Sequence, residues 1–286
     1  YLVKDPERLA RTMHEAFHVA SSGRPGPVVI DLPKDILVGK APYLEPSQVQ
    51  HRTYNPVVKG DRGQIEQALE MLASAKKPIL YCGGGVINSG EQACKLLAEF
   101  TRTTGIPITL TLMGLGAYPA SDKQHLGMLG MHGTYEANMA MHDCDVMFAV
   151  GARFDDRVTG NLDFFAPGSQ KVQIDIDPSS INKNVPVDIG IVGDIGHVLE
   201  DMIKIWKAKQ YKLDAQALDG WWKEIEGWRE KHCLSYKQPK DVIKPQHVIR
   251  RVHALTRDRK TYITTDVGQH QMWAAQHFGF EHPYEW

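Results

Sequence analysis

Between residues 78 and 192, short uninterrupted apolar runs alternate with helix-like stretches, and this alternation constrains the fold more than any other feature. Pro78–Cys82, Ile106–Leu112, Val146–Val150, Lys171–Ile176 and Ile189–Val192 read as strands, with a helix from Glu91 to Thr103. A strand that is apolar at every position is buried on both faces, and strands separated by helices join in parallel. The expectation is an α/β domain with a doubly wound parallel sheet. Ligands of such sheets bind beyond the carboxyl ends of the strands.

The flanking text is organised differently. Asp5-Pro6-Glu7 starts a helix whose apolar stripe is Leu9, Met13, Ala16, Phe17 and Ala20, and Pro27–Leu32 reads as a short buried strand. Residues 1–40 read as the tail of one domain, and 41–62, with Pro42, Pro46 and Pro56, as a linker. Residues 63–210 form the complete central domain and 211–240 a helical linker with Trp221, Trp222 and Trp228 in a helix over 219–232. Residues 241–286 read as the head of a further domain, with a helix over 245–255, a strand at Thr261–Thr265 and a turn at Asp266–His270. The chain opens at Tyr1 without Met and stops at Trp286 after a helix-like stretch, so an internal piece of a longer protein is expected.

Charge narrows the partners. With 33 Lys and Arg against 34 Asp and Glu the net charge is −1, which gives no reason to expect nucleic acid or a membrane surface. No apolar run approaches the roughly 18–20 residues that span a bilayer. Of the four cysteines, no pair has C-x-x-C spacing and three lie in or beside apolar segments, as in a cytoplasmic protein with reduced thiols.

The candidate ligand motifs fall where the strands end. Gly83-Gly84-Gly85 follows a strand and precedes a helix, as a phosphate loop does, but Asn88 stands where G-x-G-x-x-G needs its third glycine. A tight turn explains these glycines equally well. Met113-Gly114-Leu115-Gly116 and Gly127-Met128-Leu129-Gly130-Met131-His132-Gly133-Thr134 combine glycines with polarizable methionines, suiting a flat ligand. Arg153 and Arg157 stand beside Asp155 and Asp156; they hold a phosphate or carboxylate, or pair with one another. Asp175 and Asp194 end the next two strands and serve either ribose hydroxyls or helix caps. His14-Glu15-Ala16-Phe17-His18 fits H-E-x-x-H, yet it lacks an obvious third ligand, and a solvated polar face accounts for it better than zinc. Hydrolase elbows and P-loops are missing from the sequence.

Four blocks in series, residues 23–35 (Gly-Arg-Pro-Gly-Pro-Val-Val-Ile-Asp-Leu-Pro-Lys-Asp), 127–134, 153–157 and 266–272 (Asp-Val-Gly-Gln-His-Gln-Met), resemble the acetolactate synthase catalytic subunit, a thiamine-diphosphate enzyme family. The resemblance runs through essentially the whole chain. It implies a central FAD-binding domain of the six-stranded type between two partial thiamine-diphosphate-binding domains. By that resemblance Arg24, Gly84, Thr111, Leu112, Leu129, Gly130, Met131, His132, Gly151, Ala152, Arg153, Phe154, Asp155, Asp175, Ile176, Asp194 and Ile195 match flavin contacts. Gln269 and His270 match positions near thiamine diphosphate, and Arg157 the group that receives the carboxylate of a second 2-oxo acid.

The implied reaction decarboxylates pyruvate and joins the two-carbon unit to pyruvate or 2-oxobutyrate, as in branched-chain amino-acid biosynthesis. The family's activating glutamate and its Gly-Asp-Gly magnesium motif match nothing in this sequence, so the 286-residue chain alone is expected to make no acetolactate. A homodimer or tetramer with a regulatory small subunit is implied as well. Pyruvate oxidase, glyoxylate carboligase and sulfoacetaldehyde acetyltransferase share the architecture, and a flavin-binding module without chemistry of its own is the reading from another class.

Overall fold

Six strands, β1 (Pro78–Cys82), β2 (Ile108–Leu110), β3 (His125–Met128), β4 (Val146–Val150), β5 (Gln170–Asp175) and β6 (Ile189–Val192), form one sheet in the order β3-β2-β1-β4-β5-β6. Every pairing is parallel. The structure is a computed structural model that describes residues 1–43, 45 and 54–286, in two units, 1–58 and 59–286. Leu44 and residues 46–53, including Pro46 of the expected linker, lie outside the described residues.

The chain winds outward from β1 through β2 to β3, then returns beside β1 as β4 and winds the other way. That reversal places the topological switch point between β1 and β4. β1 and β4 are buried at all five positions, as their unbroken apolar sequences require. Leu80, Cys82, Phe148 and Val150 point to one face and Ile79, Tyr81, Met147 and Ala149 to the other.

Among the described residues the α-helices of the first unit are α1 (Leu9–Ser21) and α2 (Lys34–Leu37). In the second unit they are α3 (Arg62–Ala73), α4 (Gly84–Asn88), α5 (Glu91–Thr104), α6 (Tyr135–Asp143), α7 (Asp156–Thr159), α8 (Ile195–Ala208), α9 (Ala215–Arg229), α10 (Pro245–Thr256) and α11 (Gln269–His277). Leu69 of α3, Leu97 of α5 and Leu199 of α8 cover the first face. Met141 of α6 and Trp221 and Ile225 of α9 cover the second. Among the described residues no helix is long and apolar enough to cross a membrane.

The tryptophan-rich helix, expected as a linker, clasps the amino edge of the sheet. Trp221 Nε1 donates to the Pro78 carbonyl at 3.1 Å and Trp222 Nε1 to Gly105 at 2.9 Å. Arg229 Nη2 donates to the carbonyls of Lys123 and His125, each at 2.8 Å. Donors from one helix thus satisfy backbone acceptors at the starts of β1, β2 and β3, where the ladder has no donor to offer.

His125 Nε2 is sealed from solvent and has no partner among the described residues. Burial first, with the Arg229 charge adding to it, lowers the imidazole from 6.5 to about 4, against an opposing hydrogen bond to the Ala120 backbone. The folded chain therefore refuses a proton that the unfolded chain takes up near pH 6.5. Stability from this group is complete above that value and is lost as pH falls toward 4, by about 3 kcal/mol. Denaturant midpoints at pH 7.5 and 4.5 check this: His125→Leu should lose about 3 kcal/mol less on acidification than the parent chain.

Three expectations are corrected. Pro27–Leu32 is not a strand: its only ladder contact among the described residues is an isolated parallel bridge between Leu2 and Asp31, and Val29 is 78% exposed. Thr261–Thr265 is likewise not a strand; Ile263 N–H bonds the Glu285 carbonyl at 2.7 Å, but no neighbouring strand extends that single bond into a ladder. The face of α1 expected to be solvated is only partly so: Arg11 is exposed, but His14, Glu15 and His18 are half-buried, while Ala16 of the apolar stripe is buried as expected. Phe17 is 70% exposed, whereas His18 sets Nε2 at 3.0 Å from the Tyr54 carbonyl and Nδ1 at 3.2 Å from Ser22 Oγ. Among the described residues no three His, Cys, Asp or Glu side chains are grouped to hold a metal ion. Cys82, Cys94 and Cys144 are buried free thiols, and Cys233 is an exposed one.

Candidate functional site

Because all six strands run the same way, the loops that follow them share one edge of the sheet. Gly83–Gly85 follow β1, Thr111 and Leu112 β2, residues 129–132 β3, residues 151–157 β4, Ile176 β5 and Asp194 β6. The sequence-predicted residues of the second unit are therefore brought together, except Gln269 and His270, which start α11. Arg24 is exposed and belongs to the first unit.

At the switch point the glycines serve packing. Gly151 has φ +60°, and a Cβ there would lie 2.8 Å from both Gly85 Cα and Val86 N. A Cβ on Gly85 would in turn lie 2.6 Å from Gly151 Cα, and one on Gly83 would overlap the Gly151 carbonyl oxygen. Gly85 N–H bonds that carbonyl at 3.1 Å, so the two turns touch backbone to backbone. Gly84 faces the other way, toward the Met113 backbone. Thr111 Oγ1 accepts from Gly114 N at 3.1 Å and so caps the turn Leu112–Gly114.

The loops after β3 and β4 are bonded to each other. Met131 N–H donates to the Arg157 carbonyl at 2.9 Å, and Gly130, at φ +93°, passes so close to Arg157 that a Cβ would lie 2.5 Å from the same oxygen. Asn138 of α6 grips Gly130 from the far side: Oδ1 accepts from its N–H at 2.8 Å and Nδ2 donates to its carbonyl at 3.0 Å. Sequence reasoning missed Asn138, whose position in the first turns of a helix is the only cue. Leu129 is buried, while Met131 is 64% and Met113 65% exposed.

The charged residues after β4 divide into two kinds. Arg153 Nη2 pairs with Asp155 Oδ2 at 3.0 Å, and Asp155 Oδ1 caps α7 through Arg157 N–H at 3.3 Å. The Asp155 carboxyl is held below the usual carboxylate range by its hydrogen bond with Asp156, then by the Arg157 N–H and by Arg153. Arg157 is exposed, and its guanidinium makes no ion pair with a described residue. Phe154 turns inward at φ 54° and stacks on Tyr81 and Phe165, with centroids at 5.6 and 6.0 Å. Its side chain, like those of Leu129, Ala152 and Ile195, belongs to the core.

Asp194 is occupied as a cap. It accepts from Gly196 N at 3.0 Å and His197 N at 3.3 Å, and Ser89 Oγ lies 2.9 and 2.8 Å from its two oxygens. Ser89, also missed from sequence, thereby joins the turn after α4 to the start of α8. Asp175 Oδ1 accepts from Asp177 N at 2.9 Å.

Residues 65–202 match the family model described as thiamine pyrophosphate enzyme, central domain. Over its whole length the chain is 49% identical to the acetolactate synthase isozyme 3 large subunit of Escherichia coli, covering 50% of that protein. It is 48% identical to the acetolactate synthase large subunit of Haemophilus influenzae, again covering 50%, and 41% identical to acetolactate synthase large subunit IlvB1 of Mycobacterium tuberculosis, covering 46%. The chain thus spans about half the length of the curated relatives it matches.

Proposed function

We propose that this chain is the FAD-carrying half of an acetolactate synthase large subunit, its residues 65–202 matching the model of the thiamine pyrophosphate enzyme central domain. The observation that carries this reading is the identity of 49% along the whole chain. The gathering of the flavin-matching residues of the second unit at one sheet edge supports it.

The edge suits FAD in its chemistry. Met113 and Met131 are large, polarizable and left exposed, as a surface for a flat ring system needs. Arg153, exposed after β4, offers a cation to an anionic linker, and Asp175 ends β5 where a ribose hydroxyl would find a carboxylate. Leu129, Gly130, Ala152 and Phe154 would present backbone only, since their side chains are absent or turned into the core. Asp155 and Asp194 hold the loops in shape. Arg24, in the first unit, is assigned to the flavin by resemblance alone.

Thiamine diphosphate with Mg2+ supplies, when bound, the electron sink for decarboxylating one 2-oxo acid and joining the remainder to a second. Gln269 and His270, both exposed, would lie near it. Arg157 would receive the carboxylate of the second 2-oxo acid. A guanidinium offers two parallel donors to a carboxylate, and among the described residues no carboxylate forms an ion pair with this one. A homo-oligomer, a regulatory small subunit and a cytoplasmic location complete the proposal; the large-subunit names of the relatives support the small-subunit partner.

Acetolactate formation by the complete protein tests the reading. Arg157→Gln should raise KM for the acceptor 2-oxo acid by about 10- to 100-fold, the worth of a charge-assisted hydrogen-bond pair, while FAD affinity is unchanged. An unchanged KM would remove Arg157 from the acceptor site.

A further inference from the structure

Segments that connect the strands are fastened to residues 269–286 by bonds that bridge distant parts of the sequence. Beyond β1, the Ile87 carbonyl accepts from Tyr284 Oη at 3.0 Å. On the segment leading into β3, Glu281 accepts from Ser121 N at 2.9 Å and Ser121 Oγ at 2.8 Å, and Ala120 N donates to the Phe280 carbonyl at 3.0 Å. Beyond β3, Gln276 Nε2 donates to the His132 carbonyl at 2.9 Å. Gln276 differs from the other fasteners in place: it stands on α11, the helix that begins with Gln269 and His270, and it grips the loop of Leu129–His132 itself.

We propose that Gln276 is a positioning residue that couples the two cofactor sites. It fixes the His132 carbonyl to α11, so a flavin that orders residues 129–132 also steadies the start of that helix. A hydrogen-bonded helix is stiff, and the seven steps from Gln269 to Gln276 span about 10 Å at 1.5 Å per residue. The inference rests on the reading that these segments hold FAD and thiamine diphosphate. Coupling through a shared element is reciprocal: whatever factor FAD adds to thiamine diphosphate affinity, thiamine diphosphate adds to FAD affinity. One neutral, solvent-facing hydrogen bond sets its size at about three- to tenfold.

The experiment measures apparent Kd values in the complete protein with Mg2+ present: thiamine diphosphate with and without saturating FAD, and FAD with and without thiamine diphosphate. The parent protein should bind each cofactor about three- to tenfold more tightly when the other is present. Gln276→Leu should reduce that factor to less than about twofold while leaving the affinity for each cofactor alone within about twofold. Gln276→Lys, which keeps a donor of similar reach, should restore much of the coupling. Equal coupling in the parent and Gln276→Leu, no coupling in the parent, or loss of FAD binding by itself in both variants would overturn the role given to Gln276. Failure of the parent protein to bind either cofactor would instead overturn the reading of the sites, and the coupling with it.

Discussion

Gly151→Ala is expected to cost about 3–5 kcal/mol of folding stability, most of it from contact between backbones. The residue has φ +60°, a region that costs an L side chain about 1–2 kcal/mol by itself. The new methyl would also lie 2.8 Å from Gly85 Cα and Val86 N, atoms of a turn that leaves the fully buried strand β1. Neither side can rotate away as a flexible side chain would, so the turns after β1 and β4 must separate at the centre of the sheet. Gly105 isolates the conformational part. It is a left-handed helix cap at φ +75°, and a Cβ there meets only the end of the Leu218 side chain at 3.2 Å. Gly105→Ala should therefore cost only about 1–2 kcal/mol. Denaturant unfolding of both variants decides the matter: equal losses would mean that the close approach of the two turns is not what these glycines are for.

Trp221→Ala should cost about 4–5 kcal/mol and lower Tm by more than about 10 °C. The indole is 1% exposed, packs edge-on against Trp228 with centroids 5.6 Å apart, and lies in the core beneath β1 and β4. Truncation leaves a cavity the size of a bicyclic ring and strips the Pro78 carbonyl of its donor. Trp222, next in sequence, is half-buried and bonds Gly105 in the same way. Trp222→Ala should lose less than half as much, because little apolar surface goes with it. Thermal unfolding of the two variants checks the contrast. Similar small losses in both would show that α9 is a detachable linker, whereas the expected asymmetry makes it part of the sheet domain.

What the sequence revealed and what it concealed follow one physical division. β1 and β4 were legible because central strands are apolar throughout. β3 was hidden: four residues, His125-Leu126-Gly127-Met128, at an edge where burial alternates, and with a glycine, they carry no continuous signal. Pro27–Leu32 and Thr261–Thr265 carried the signal without the ladder, since an apolar run becomes a strand only where another strand is beside it. Parallel topology made it legible that the motif-bearing loops share one edge, because alternating strands and helices force every strand to end there. Individual roles were not legible. Asp155 and Asp194 cap helices, and Phe154 packs inward, which depends on backbone angles that no motif encodes. Ser89 and Gln276 act on partners 105 and 144 residues away, distances over which sequence pattern carries no information.

The central claim, that this chain is the flavin-carrying half of an acetolactate synthase large subunit, meets its most direct test in one assay. The complete protein is given pyruvate with FAD, Mg2+ and thiamine diphosphate, and 2-acetolactate is measured alongside the bound-flavin absorbance. The account predicts a bound flavin and acetolactate formation that stops when thiamine diphosphate is withheld. A protein that binds FAD but consumes no pyruvate, or that turns pyruvate into another product, would contradict it.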